Sequence, residues 1–132
     1  MMDLSLDNIG LVTEDLGSSL DFYTRLLGFE LIEHDPVAGS AAVRIGSTTL
    51  FLLAGRGTLG PERGADPAAN PAGLDHLSFA TSDVDETFRV LTERGVRFSE
   101  PPQDSDWGAR FCGCQDPNGV PIYFLRWAAE RR

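Results

Sequence analysis

His76, in the run "LDHLSFAT", is the side chain in this sequence best suited to move a proton at neutral pH. An imidazole has a reference pKa of about 6.5, close to where general acid–base catalysis works best. Tyr123, in "VPIYFL", carries a phenol that can donate to a developing oxyanion, and the Asn8 amide in "LDNIGLVT" is a second donor. Together they would suit isomerisation, epimerisation, ring opening or lyase chemistry beside a carbonyl. The plainer reading of His76 is a structural histidine satisfied by hydrogen bonds. Cys112 and Cys114 lie two apart, hence on one strand face, and that spacing does not favour a disulfide. A Cys-x-Cys pair without a fourth ligand is a weak metal signal, so both read as small buried apolar residues. In "DSDWGARF", Trp107 can stack on a flat ligand and Arg110 can meet an anionic group. Equally, Trp107 can cover a sheet edge while Arg110 pairs with Glu100 or Asp104. His34, beside Asp35 and before a turn, reads as exposed. Glu33, Glu100 and Asp106 are candidate rim charges, but nothing fixes their direction. "GRGTLG" lacks the ending of a phosphate-binding loop.

The elements that must position these residues are written twice. "LDNIGLVTEDLGSSLDFYTRLLG" from Leu6 and "LDHLSFATSDVDETFRVLTERG" from Leu74 align with one residue dropped. Two copies of one supersecondary unit are the economical explanation. "NIGLVT" and "HLSFAT" alternate like strands. Asp15 and Asp83 follow as N-caps, and Gly28 and Gly95 close the helices. Leu16, Leu20, Tyr23 and Leu27 form one apolar stripe; Val84, Phe88 and Leu91 form the other. Three strand-like runs follow each helix: "FELIEHD", "AAVRIG", "TTLFLLA", and then "VRFSEP", "ARFCGCQ", "VPIYFLRW". Turns are expected at Gly46 and at "DPNG". Each copy is therefore βαβββ. The fold class is α+β, a single domain over residues 1–132, with module one at about 4–54 and module two at about 74–127. Gly55 to Gly73, rich in Gly, Pro and Ala, reads as a linker or flap.

Alternation also assigns the faces. Ile9, Leu11, Leu50, Leu52, Leu77, Phe79, Ile122 and Phe124 should meet the helices. Asn8, Gly10, Phe51, Leu53, His76, Ser78, Tyr123 and Leu125 should face the other way. That second face is aromatic and apolar with a few polar points, the usual make-up of a small-molecule site.

The bulk numbers narrow the partners. The chain has 132 residues, 42% of them hydrophobic, enough for a proper core. Its net charge of -9 argues against nucleic acid, whose phosphates need the opposite sign, and suits a cationic ligand. No apolar run approaches the ~20 residues that cross a membrane. The acidic start "MMDLSLDN" lacks a secretion signal's basic region, so the protein reads as cytoplasmic with reduced thiols.

Taken together, "DNIGLVTEDLGSSLDFYTRLLGFEL", "LDHLSFATSDVDETFRVLTERG" and "WGARFCGCQDPNGVPIYFL" resemble the vicinal oxygen chelate superfamily, from about Leu6 to Trp127. That group includes glyoxalase I, epimerases, extradiol dioxygenases and bleomycin-resistance proteins. The resemblance implies paired βαβββ modules whose sheets curl into a cup, with Trp107 and Arg110 at its rim. It also implies a homodimer, since members of this length commonly pair. Metal-dependent members place N or O donors on the first and last strands of each module, and the ion acts as a Lewis acid. Those positions are Asn8, Phe51, His76 and Tyr123 here, and only His76 is a strong ligand. The expectation is a site without metal or cofactor. Its ligand-binding residues are Asn8, Phe51, His76, Ser78, Trp107, Arg110 and Tyr123, and it takes an aromatic or polycyclic small molecule such as an antibiotic. The alternative is a glyoxalase-fold isomerase, epimerase or lyase with His76 and Tyr123 as catalytic residues, acting as acid/base or oxyanion donors, with or without a divalent metal.

Overall fold

A computed structural model describes residues 2–55, 63–64, 69 and 74–128. The chain divides into two compact units, Met1–Thr58 and Leu59–Arg132. Most of the expected Gly55–Gly73 linker lies outside the described residues.

Unit 1 begins with strand β1 (Asn8–Thr13) and helix α1 (Leu16–Asp21), which runs on as a π-helical segment (Phe22–Leu26). Strands β2 (Glu30–Asp35), β3 (Ser40–Ile45) and β4 (Thr48–Ala54) follow. The sheet order is β1-β4-β3-β2, with β1 parallel to β4 and the other pairs antiparallel. Unit 2 repeats the plan with β5 (Leu77–Ala80), α2 (Val84–Glu93), β6 (Phe98–Asp104), β7 (Ala109–Gln115) and β8 (Pro121–Trp127), in the order β5-β8-β7-β6. The fold is α+β, two tandem βαβββ modules, as the repeat and the resemblance imply.

The two copies share local devices. Asp15 accepts from Ser18 N at 3.2 Å, and Asp83 accepts from Glu86 N at 3.0 Å, so each helix starts on an aspartate cap. Just before each cap, a threonine hydroxyl reaches into the helix: Thr13 meets Ser19 Oγ at 2.6 Å and Thr81 meets Thr87 Oγ1 at 2.7 Å. Gly28 and Gly95 close the helices at φ 84° and 101°, a conformation that costs residues with a Cβ.

The first helix differs from a plain amphipathic one. Leu27 N donates to the Phe22 carbonyl at 2.9 Å, five residues back. The copy-one helix is one residue longer between its aspartate cap and its closing glycine than copy two. The wider turn absorbs that residue, and it buries the consecutive rings of Phe22 and Tyr23 at 5.0 Å, edge to face. The dropped residue in the alignment of the two copies was the signal for it.

The cores follow strand alternation. Leu50, Leu52, Ile122 and Phe124 are all buried, as the alternation requires. In unit 2, α2 lies against β6, β7 and β8 and covers the face that carries Cys112, Cys114, Ile122 and Phe124. Strand β6 runs past its expected end, through Pro101 and Pro102 to Asp104. It is the edge strand of its sheet, where a proline's missing donor is tolerated.

Candidate functional site

The uncovered face of unit 2 is hollow for a reason visible in the register. Ser78 and Ala80 of β5 sit opposite Tyr123 and Leu125 of β8, and Gly113 of β7 sits on the other flank of Tyr123. Ser78 and Ala80 leave space on one flank, and on the other Gly113 lets the Tyr123 ring lie down over it. The result is a cavity of about 620 Å³ lined by Asp75, His76, Ser78, Glu100, Trp107, Phe111, Tyr123 and Trp127 among others. That volume is in the range of pockets for drug-sized ligands.

The aromatic wall is continuous. Trp107 stands 5.3 Å from Trp127, edge to face, and 5.6 Å from Phe111 at a tilt of 31°. Phe111 meets Tyr123 at 6.1 Å, and Tyr123 meets His76 at 5.1 Å, both edge to face. Edge-to-face pairs leave ring faces open to a flat guest.

Polar groups gather at one end. His76 Nδ1 lies 2.9 Å from Asp75 Oδ2, and since a carboxylate only accepts, Nδ1 donates; in the neutral imidazole Nε2 is then the acceptor. Arg63 also pairs with Asp75, at 3.6 Å. The Tyr123 phenol is pushed up from its ordinary value by burial first, then by the negative charges of Glu100 and Asp75. It remains a neutral donor at physiological pH. A second cavity of about 230 Å³, lined by Arg63, Ser99, Gln115 and others, shares Glu100 and Tyr123 with the first.

Of the residues expected from sequence, His76, Ser78, Trp107 and Tyr123 come together in this cavity. Asn8 and Phe51 belong to unit 1. There Asn8 is exposed and donates to Asp7 at 2.9 Å, while Phe51 pairs in register with Gly10. Arg110 stands on the helix side of β7 with Cys112 and Cys114. It grips Asp85 of α2 with two hydrogen bonds of 2.8 Å and Asp104 of β6 with one of 3.1 Å. Those bonds hold the Asp85 carboxyl below its ordinary range. The internal-carboxylate alternative for Arg110 is the arrangement found, and Arg110 does not line the cavity. Asp75, Phe111 and Trp127 join the site without having been singled out, and Glu100 joins it from among the candidate rim charges whose direction the sequence leaves open. Trp127 and Phe111 follow from the alternation of their strands. Glu100 does not, because β6 shifts register on both sides of it.

The metal positions named by the resemblance hold Asn8, Phe51, His76 and Tyr123. Among the described residues no group of three or more His, Cys, Asp or Glu side chains is disposed to hold a metal ion. As a donor set, a phenylalanine, an amide, a neutral phenol and one imidazole do not suit a divalent cation. No metal-dependent step is derived from this donor set.

The family model for the "Glyoxalase/Bleomycin resistance protein/Dioxygenase superfamily" matches residues 5–124. Protein YraH of Bacillus subtilis (strain 168) is 29% identical over 126 residues, 91% of this chain and 98% of its own. The crystal structure of a glyoxalase/bleomycin resistance protein/dioxygenase from Nocardioides is 27% identical at a TM-score of 0.74, covering 100% of this chain and 89% of that one. TnmS3, an antibiotic binding protein from Streptomyces sp. CB03234, is 26% identical at a TM-score of 0.71, covering 96% and 98%. Sequence repeat, module topology and family match agree: the chain belongs to the glyoxalase/bleomycin resistance protein/dioxygenase superfamily.

Proposed function

We propose that this protein binds an aromatic or polycyclic small molecule, such as an antibiotic, in the unit 2 cavity and without a metal. The observation that carries the reading is the wall of Trp107, Phe111, Tyr123 and Trp127 over a floor of Ser78 and Ala80. Stacking surfaces supply affinity, and His76, Glu100 and the Tyr123 hydroxyl supply orientation. The likeness to an antibiotic binding protein supports the same class of ligand. Titration with flat polycyclic compounds should quench tryptophan emission stoichiometrically, and mass spectrometry should recover the compound unchanged. A ligand chemically altered in the same tube would sink the sequestration reading.

One observation favours a second reading, an isomerase, epimerase or lyase. Asp75 orients His76 at 2.9 Å, which leaves Nε2 free to accept a proton. On any substrate found, His76→Gln should then lower kcat at least about a hundredfold. Unchanged turnover in that variant would remove His76 from the chemistry.

A further inference from the structure

We propose that the ligand of the unit 2 cavity carries a protonated amine and that Glu100 selects it. This rests on reading the cavity as an aromatic binding site and adds the charge of its guest.

The ionised groups lining the larger cavity are carboxylates, Asp75 and Glu100. They are not equivalent. Asp75 is already engaged, by His76 at 2.9 Å and Arg63 at 3.6 Å. Glu100 enters no ion pair among the described residues; its one partner there is the neutral Tyr123 hydroxyl, which donates to it and leaves its charge uncompensated. It sits in register with Gly113, and its Oε2 lies 3.2 Å from where a Gly113 Cβ would be, beside the Tyr123 ring. A half-buried carboxylate next to open aromatic faces is a site built for a cation. The ring quadrupoles and the carboxylate attract the same charge. An anionic guest would meet repulsion from both acids. The Tyr123 phenol beside it is raised by burial first, and the negative charges of Glu100 and Asp75 add to the shift. Glu100 and Tyr123 line both cavities, so a charge placed there is reached from either chamber.

The test uses three probes with one ring system: 9-(aminomethyl)anthracene, 9-anthracenemethanol and 9-anthracenecarboxylate. Each is titrated into the wild-type chain and into Glu100→Gln, followed by fluorescence. Wild type should bind the amine about tenfold or more tighter than the alcohol, and the carboxylate weakest. Glu100→Gln should abolish the preference for the amine and change the alcohol's affinity by less than about twofold. The amine's advantage in wild type should also shrink as salt rises, a readout that needs no variant. Equal binding of amine and carboxylate, or an equal loss of all three probes in Glu100→Gln, overturns the proposal and leaves the aromatic site standing. Failure of wild type to bind any of the three overturns the aromatic site as well.

Discussion

Gly113 and Tyr123 are cross-strand partners, and a Cβ on Gly113 would lie 2.9 Å from both Cδ1 and Cε1 of the Tyr123 ring. The ring therefore lies across the glycine, and the absent side chain is what lets Tyr123 stay down and Glu100 come in beside it. Gly113→Ala should lift the ring into the cavity. Binding of a polycyclic probe should weaken at least about tenfold, while overpacking costs about 1–3 kcal/mol. Parallel ligand titration and urea unfolding would separate the two. Wild-type affinity in the variant would show that the ring's seat does not matter to binding.

Trp107 is 48% exposed, yet it is packed against both Phe111 and Trp127. It is a stacking surface more than a piece of core. Trp107→Ala should weaken an aromatic ligand about tenfold with a much smaller effect on stability. Calorimetric titration and a thermal melt would check this, and a variant that binds as well as wild type would remove Trp107 from the site.

Arg110 ties α2 to β6 through Asp85 and Asp104 on the face away from the cavity. Arg110→Ala should leave ligand affinity within about twofold and lower stability slightly, since these pairs are exposed to solvent. Asp85 is held below its ordinary value of 3.8 by Arg110. A depressed carboxyl contributes stability above its unfolded pKa and loses it as pH falls through the folded one. The Arg110→Ala difference should therefore be present at neutral pH and fade below about 4. A constant difference down to strong acid would contradict the pairing.

Cys112 and Cys114 are buried, and burial pushes their thiols from 9.0 up to about 11 and about 12. Thiolate is the reactive form, so a disulfide reagent at pH 8 should label neither in the native protein and both in urea. A pKa raised by folding gives stability that is whole below the unfolded value and drains as pH rises toward the folded one. Urea midpoints should fall from pH 9 upward, and less steeply in a Cys112→Ala/Cys114→Ala chain. Rapid native labelling would mean that the face under α2 opens.

Much of this was legible in the residues. The duplicated Asp caps, the closing glycines and the alternation of Leu50, Leu52, Ile122 and Phe124 act locally, so they could be read without tertiary information. The face of Arg110 was equally legible, since it shares its parity with Cys112. Glu100 was not, because the register shifts on either side of it break the counting of faces along β6. Asp75 was not, because it lies before β5 begins and no strand alternation governs it.

The π-helical turn at Phe22–Leu26 has a consequence for how unit 1 tolerates change in length. Deleting a residue from an ordinary helix rotates everything beyond it by about 100° and tears its apolar stripe from the core. Here the first module already holds one residue in surplus, stored as a wide turn. Removing Thr24 should let the coil tighten to α-helical spacing and bring the module into step with its twin. At this one place, shortening the chain restores a periodicity rather than breaking one.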